Sequence, residues 1–493
     1  MRINKDFMVV GLGRLFIALL ALLSIKFITI FLSPEQFGKL SILLALQSFC
    51  GLFIISPVGQ YINRHTHQWW DTGSLFQQLK NYKVFVFLAS CAGSFIVFIA
   101  FIEEPLEYKL LSSLVLIVMI NASTWNSTFI PILNMTGFRV TAVILMGLSS
   151  LAGLVLSIAL TSVFNIPEAW LFGQAAGLSI GAILAALYLR RYAWSSNRIE
   201  RRFLTLDMYR KYCLPLAISA GCMWILAGGY RFIVDFYWGL TALGLLTMGL
   251  VLANQIWAVI EALAHQFLYP FFYKQIRLLE DDNNFILKAS KPMSDLLNVM
   301  IPVYVLMIGM TLLLSPFLVQ FLLDSSYKDA EYFFRYGIGI EFFRVLSNSL
   351  ASASQITKQT KKIIKPYFIG AFFAIAMLII FGYNRVDLIF VVIALFAVSI
   401  LVTCLMWNSM RDEVYFYPAY NSWFISLMLS LVICFVGYFT NRYLSEELHV
   451  FISFLLILTV IVLFTIFCKK SNALKRLMSV KLNSMQDDLN DNF

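Results

Sequence analysis

The sequence predicts an all-α membrane protein that crosses the bilayer about fourteen times. Of its 493 residues, 60% are hydrophobic and only 13% are charged, and the mean hydropathy is +0.80. A soluble domain does not carry so many apolar residues, so this composition places the chain in a bilayer. Apolar runs of about 20 residues, the length that crosses the hydrocarbon layer, recur along the whole chain.

Short polar segments separate these runs, so the spans can be placed in order. The fourth and tenth spans have boundaries rich in Ser and Asn, which leaves twelve as the alternative count. The first run has no small-residue cleavage site, so it is predicted to remain a span and not to act as a signal peptide. The predicted spans cover residues 7–32, 38–62, 84–102, 110–133, 140–162, 169–189, 213–236, 239–264, 295–323, 331–355, 366–384, 387–407, 420–440 and 449–468.

The distribution of basic residues predicts the orientation of the chain. If the N-terminus is cytoplasmic, 27 of the 37 Lys and Arg residues fall in inner segments, 5 in outer loops and 5 within spans. Inner loops of polytopic proteins carry this excess, so both termini are predicted to be cytoplasmic. The net charge of +10 has the same origin and does not indicate nucleic acid binding.

The longest basic segment predicts the domain organisation. It joins the sixth and seventh spans over residues 190–211, and it either acts as a solvated linker or contacts anionic lipid headgroups. We therefore expect a six-helix bundle on each side of it around a central cavity, with parallel halves, then two more helices and a polar tail. A second inner segment, 274–291, can form a short amphipathic interfacial helix. The predicted domains are 1–200, 201–412, 413–468 and 469–493.

The chain carries no motif that points to an enzyme, a cofactor or a metal. Its seven cysteines lie in apolar spans without a CxxC or a Cys/His cluster, so they are interpreted as small hydrophobic residues. There is no Walker motif, nucleophile elbow or HExxH, and the outer loops are too short for a catalytic domain. The predicted function is therefore transport, with no cofactor and no metal.

Five cations lie within the predicted spans, and they carry most of the functional prediction. They are Arg14, Lys26, Arg231, Arg335 and Arg344. A charge at the centre of a span costs about 2.5–3.5 kcal/mol on insertion scales, so it usually faces a protein interior or a watery cavity. Arg335 is near the outer boundary and is expected to snorkel. The other four are predicted to bind an anionic substrate, and the guanidinium groups of the three arginines match phosphate geometry.

Two of these cations belong to a short internal repeat. Lys26 and Arg231 are each followed by Phe-Ile, and each comes 12 or 13 residues before a glycine, Gly38 or Gly244, at the turn into the next span. Because six spans separate the two copies, the halves are predicted to be parallel, with both cations at similar depth on either side of a central cleft.

The acidic residues suggest how transport is driven. Glu341 lies near the middle of the tenth span, where a protonatable carboxylate could couple transport to H⁺ or Na⁺. Its alternative role is a buried ion pair with Arg344, three residues further along the helix. Glu261 is a weaker coupling candidate because it lies close to the inner end of its span.

Uncharged polar residues within spans are the remaining candidates. Those of the fourth and eighth spans could face sugars in a cavity or form interhelical hydrogen bonds. Three residues that close the second span could form a cytoplasmic gate. The sugar-facing candidates are Asn121, Trp125, Asn126, Asn254 and Gln255, and the gate candidates are Gln60, Asn63 and Arg64.

The opening sequence GLGRLFIALLALLSIKFITIFLSPEQFGKLSILLAL resembles the O-antigen and capsule flippases (Wzx-type) of the multidrug/oligosaccharidyl-lipid/polysaccharide exporter superfamily. SPVGQYINR and FLYPFFYKQI are similar to that group as well. The resemblance implies that an undecaprenyl-pyrophosphate-linked oligosaccharide is flipped across the bacterial inner membrane by alternating access. It also implies association with the polysaccharide polymerase machinery. One departure is that Gly-Tyr precedes Arg231, where related sequences often have Asp.

Three other functions compete with this interpretation. A cation-coupled drug exporter usually has an acidic cavity, whereas the charges within these spans are mostly basic. A lipid II flippase shares the fold and the pyrophosphate anchor, so the sequence separates it poorly. An O-antigen polymerase needs a large outer loop for its chemistry, and no outer loop here exceeds about a dozen residues.

Overall fold

The computed structural model confirms the predicted fold class: all regular structure in its described part is helical. It describes residues 5–102, 104–193, 213–279, 284–357, 359–443 and 471–478, and single turns within 452–459. In chain order the α-helices are α1 Lys5–Phe31, α2 Pro34–Phe49, α3 Ser56–Asp71, α4 Leu75–Ala100, α5 Leu106–Met135, α6 Arg139–Phe164, α7 Pro167–Tyr192, α8 Leu214–Trp224, α9 Tyr230–Phe267, α10 Tyr269–Arg277, α11 Phe285–Leu322, α12 Ala330–Ile356, α13 Ile364–Tyr383, α14 Leu388–Arg411, α15 Tyr420–Tyr443 and α16 Asn472–Met478.

Eleven helical stretches of the described chain are long and apolar enough to cross a membrane, and the chain is a multi-pass membrane protein. One of them, Leu216–His265, covers both the seventh and the eighth predicted spans. Gly239 divides it with φ 83° and ψ 171°, a conformation that only glycine adopts readily. The tenth predicted span corresponds to α12, which is too polar to be among the eleven. The fourteenth, 449–468, falls mostly outside the described residues.

Two spans contain a wide turn that periodicity does not predict. A π-helical segment, Cys50–Ile55, joins α2 to α3, and a second one, Ile225–Gly229, joins α8 to α9. Each adds backbone to the helix without ending it, and such turns often occur at functional sites. The two segments lie in the second and seventh predicted spans.

The start of α2 explains the Leu-Ser-Pro-Glu-Gln motif of the sequence. Ser33 caps the helix: its hydroxyl accepts from the Gln36 amide at 3.3 Å, and the Gln36 side chain accepts from the Ser33 amide at 3.0 Å. Pro34 occupies the first turn, where its missing N–H costs nothing. The second span therefore begins at residue 34 and not at 38 as predicted.

The chain divides into two compact units. The first contains 1–248, 320–333 and 371–394, and the second contains 249–319, 334–370 and 395–493. The predicted bundle boundaries at 200 and 412 stay predictions. Residues 194–212 of the predicted linker and 479–493 of the predicted tail lie outside the described residues.

Within the first unit, loops predicted to share the outer side meet at one end. The Lys39 ammonium contacts Glu104 at 2.8 Å and Glu168 at 2.9 Å, and the Gln36 amide donates to the Asn165 carbonyl at 2.8 Å. These contacts join the first, third and fifth connections of the chain, as alternating helix direction requires. Which end faces the cytoplasm stays a prediction.

In the second unit, the short helix α10 overlaps the predicted interfacial segment, 274–291, only at residues 274–277, and its place at the membrane interface stays a prediction. It buries one face through Tyr269, Phe272 and Ile276. The short helix α16 packs beside it, where the Gln275 amide donates to two carbonyls of α16 and Arg476 forms an ion pair with Asp295. A described part of the C-terminal region is therefore anchored on the predicted inner side.

Candidate functional site

Arg231 is held against α2 immediately after the second π-helical segment. Its Nη1 donates to the Ser41 carbonyl at 2.8 Å, and its guanidinium lies 5.8 Å from the centroid of the Tyr230 ring. Its Nε is buried and has no hydrogen-bond partner in the described structure. One guanidinium edge is thus anchored while a buried donor has no acceptor.

Trp224, the last residue of α8, is also held against α2, on the other side of the π-helical turn. Its indole N–H donates to the Ala45 carbonyl at 3.0 Å and to the Ser48 hydroxyl at 3.1 Å. The Ala45 carbonyl, one helical turn after the Ser41 carbonyl, thus also accepts a hydrogen bond from a side chain of the seventh predicted span. The π turn between Trp224 and Arg231 rotates the helix so that both side chains reach α2.

The other two cations predicted for this half both lie on α1, in different surroundings. Lys26 is half-buried and has no ion-pair partner among the described residues. Arg14 is exposed, and so are its neighbours Leu12, Leu15 and Phe16. Lys26 therefore has the more enclosed position of the two, although both lie six or seven residues from an end of the predicted span.

In the second unit, a polar network surrounds Arg344. Its Nε contacts Glu341 at 2.5 Å and its Nη2 contacts Glu261 at 3.2 Å. The Asn254 amide also donates to Glu341, at 3.1 Å, and the Asn348 amide donates to Glu261 at 3.1 Å. One arginine thus joins two carboxylates from two helices, and two side-chain amides hold the carboxylates from outside.

This network carries a net negative charge when both acids are ionised. Glu341 is only 9% exposed, and the Arg344 side chain is one-third exposed. Burying two carboxylates against one guanidinium leaves one negative charge without compensation, which is costly in a low-dielectric interior. Binding of a proton or a monovalent cation removes that charge. The arrangement is therefore suited to taking up one cation.

The sequence identified part of this network and assigned some of its members differently. Arg344 was predicted to bind phosphate and Asn254 to face sugar, but both contact Glu341. Gln255 is half-buried next to Asn254. The sequence missed Asn348 as a member and underrated Glu261. Their spacing was the available signal, because residues seven apart, such as 254 and 261 or 341 and 348, share one helix face.

Two polar residues of α5 form interhelical hydrogen bonds, which was the alternative to facing sugars in a cavity. The Asn121 amide donates to the Ser90 hydroxyl at 2.8 Å, and the buried Asn126 amide donates to the Ser149 hydroxyl and the Leu178 carbonyl at 3.0 Å. Trp125 is half-buried, with its ring 5.2 Å from that of Phe129. Asn121 and Asn126 thus connect α5 to α4, α6 and α7.

The three gate candidates lie on the exposed face of α3. Gln60, Asn63 and Arg64 are all exposed, and the Gln60 amide donates weakly to Ser56 at 3.5 Å. Behind them, the His65 ring stacks between Tyr61 and Trp69. Within the described residues, no group of three or more His, Cys, Asp or Glu is arranged to hold a metal ion.

Comparison with known proteins establishes the fold. No protein-family model and no curated sequence matches the chain. Among solved structures, "Lipid II flippase MurJ, inward closed conformation" aligns over 94% of this chain and 99% of its own, with a TM-score of 0.69 and 16% identity. The chain has the fold of the MOP-superfamily transporters.

Two further structures with this fold are MATE transporters. An inward-facing MATE family transporter of the MOP superfamily aligns over 84% of this chain and 95% of its own, with a TM-score of 0.51 and 15% identity. A eukaryotic MATE transporter aligns over 86% and 97%, with a TM-score of 0.52 and 12% identity. At these identities the likeness concerns the fold alone, so the substrate must be argued from this chain's own residues.

Proposed function

We propose that the protein is a flippase that moves an undecaprenyl-pyrophosphate-linked oligosaccharide across the bacterial inner membrane by alternating access, for the synthesis of O-antigen or capsular polysaccharide. The observation that carries this proposal is the buried, unpartnered Nε of Arg231. An unsatisfied buried donor costs about 1–3 kcal/mol, so it persists only where a ligand or another role repays that cost.

The chemistry of the site favours a phosphate over other ligands. A guanidinium with one edge fixed presents its remaining N–H groups in a plane, which suits two oxygens of a phosphate. Lys26, half-buried and without an ion pair among the described residues, adds a second positive charge in the same unit. A cationic drug would be repelled by this pair, which disfavours the drug-exporter alternative.

The lipid II flippase is the second candidate: it shares the fold over 94% of this chain, and the cations of this chain do not distinguish its substrate from the first. Lipid II has the same polyprenyl-pyrophosphate anchor and differs in its sugar and peptide. The cations argued above recognise the shared anchor. The sugar therefore decides between the two candidates.

Reconstituted vesicles test the proposal directly. Purified protein is expected to flip a fluorescent polyprenyl-pyrophosphate oligosaccharide faster than its monophosphate counterpart, and a cationic dye should not compete. Lipid II in a parallel assay separates the two flippases. Transport of the dye without movement of either pyrophosphate lipid would refute the proposal.

We infer that the Glu261–Arg344–Glu341 network couples this movement to a proton or sodium gradient. The supporting observation is the single guanidinium shared by two carboxylates. Since one acid lacks a compensating charge, a cation that enters the network changes its electrostatics and can favour one conformation over another.

Neutralising Glu341 is expected to uncouple the carrier. Glu341→Gln keeps the shape of the side chain and leaves Glu261 as the single partner of Arg344, so the network no longer needs a cation. Flipping in vesicles should then lose its response to an imposed H⁺ or Na⁺ gradient, while any downhill movement persists. The matched control is Glu107→Gln, at an exposed acid in the first turn of α5. An unchanged gradient response in Glu341→Gln would assign the network to stability alone.

A further inference from the structure

The repeat predicted from the sequence is also a reciprocal contact. Gly38 lies so close to the Leu240 carbonyl that a Cβ on it would overlap that oxygen, and a Cβ on Gly244 would overlap the Pro34 carbonyl. The separation from 38 to 244 is 206 residues, and from 34 to 240 it is also 206. Each copy of the repeat therefore contributes a glycine and, four residues earlier, a carbonyl that contacts the glycine of the other copy, as in a two-fold interface.

Segments from later in the sequence pack against the same end of the first unit. The Tyr327 ring is fully buried and its hydroxyl donates to the Leu32 carbonyl at 2.8 Å. The Asp324 amide donates to the Thr29 hydroxyl at 3.1 Å. A third contact comes from Trp238, whose indole N–H donates to the Val386 carbonyl at 2.9 Å. All of these residues belong to the first compact unit.

The turn that carries Tyr327 is itself well formed. The Asp324 carboxylate accepts from the backbone amide of Ser326 at 3.0 Å and from its hydroxyl at 2.9 Å. These hydrogen bonds hold the pKa of the Asp324 carboxyl below its usual range, so the cap remains ionised at neutral pH. We call residues 324–327 the strap.

These contacts share the end of the unit predicted to be the outer side, and an alternating-access carrier must open that side once in each cycle. We propose that the Gly38–Gly244 seam and the strap form the outer gate of this carrier, closed in this structure. Glycine suits a reversible seam, since two backbones can meet and separate without repacking side chains. The inference rests on the proposed transport function only in requiring alternating access, and not on the identity of the lipid.

The gate is also connected to the proposed phosphate site. Ser41, whose carbonyl accepts from Arg231, donates its own hydroxyl to the Gly38 carbonyl at 2.7 Å. A phosphate bound by the other N–H groups of Arg231 competes with the Ser41 carbonyl for the same guanidinium and so weakens one of the bonds between α9 and α2 close to the seam. Substrate binding would thus loosen the gate that must open for its release.

A reversible cross-link tests the strap. Thr29→Cys/Asp324→Cys, in a background without the native cysteines, puts one thiol on each of the two residues that the Asp324 amide and the Thr29 hydroxyl now join. Oxidation is expected to reduce flipping by the double variant to background and reduction to restore it to the level before oxidation, while oxidation leaves the rate of each single cysteine variant unchanged. Full flipping with the disulfide formed would overturn the gate.

Accessibility from outside tests the seam without relying on flipping. With Ser41→Cys as reporter, Gly244→Ala should raise the rate of labelling by an impermeant maleimide roughly tenfold, because the added methyl group forces the seam apart. Gly51→Ala is the matched control, since a Cβ there meets nothing within 4 Å. Equal labelling in both variants would overturn the seam. If Gly244→Ala fails to fold, the cross-link decides. If no pyrophosphate lipid is flipped at all, cross-link yield and labelling still report on the gate.

Discussion

Replacing Arg231 by Met is expected to reduce the affinity of the carrier for its pyrophosphate lipid by about 10- to 150-fold. This range corresponds to the loss of one charge-assisted hydrogen bond worth about 1.5–3 kcal/mol. Met keeps much of the length of the side chain, so packing between α9 and α2 suffers little. The measurement is the lipid concentration that gives half-maximal flipping in vesicles, with thermal stability recorded on the same samples.

The readout separates a binding role from a structural one. If Arg231 only anchors α9 to the Ser41 carbonyl, the variant should lose stability while its half-saturating lipid concentration stays the same. Arg231→Lys should retain part of the affinity, because it keeps the charge and loses the planar fork. Arg335→Met is the control, since Arg335 is an exposed cation of another span. A monophosphate lipid should be affected less than a pyrophosphate lipid.

The helical fold was predictable because a single physical requirement determines it. The backbone N–H and C=O groups of each span must be hydrogen-bonded within a helix, because lipid offers them no partners. Each span therefore appears in the sequence as a run of about 20 apolar residues. Details that depend on neighbouring helices could not be predicted. The π-helical segments at 50–55 and 225–229 arise where two spans pack together, and no residue type marks them.

Site residues could be predicted from the sequence where the free-energy cost of a charge within a span was sufficient to identify them. Arg231 and Glu341 stood out because a charge within a span is expensive wherever it points. Partners could not be assigned in the same way. Asn126 is as polar as Asn254, yet one donates to a backbone carbonyl and a hydroxyl while the other donates to a carboxylate. Only the arrangement of the surrounding helices distinguishes them.

Removing the charge of Arg344 is expected to destabilise the protein strongly. Replacing Arg344 by Met leaves the half-buried Glu261 and the buried Glu341 near each other with no cation between them. Breaking a buried ion pair in this way costs about 3–5 kcal/mol, and we expect the lower end because the Arg344 side chain is one-third exposed. Thermal unfolding in detergent should show a large loss of stability, and Arg335→Met, nine residues earlier in the same helix, should show little.

A second substitution shows whether charge is the cause. Arg344→Met combined with Glu341→Gln removes one of the uncompensated carboxylates, so most of the lost stability should return, and adding Glu261→Gln should return more. If Arg344 served the phosphate, as the sequence alone suggested, the single variant would weaken lipid binding without unfolding early, and the added Gln would rescue nothing. Rescue would instead mean that the two acids, and not a substrate, hold this arginine in the membrane.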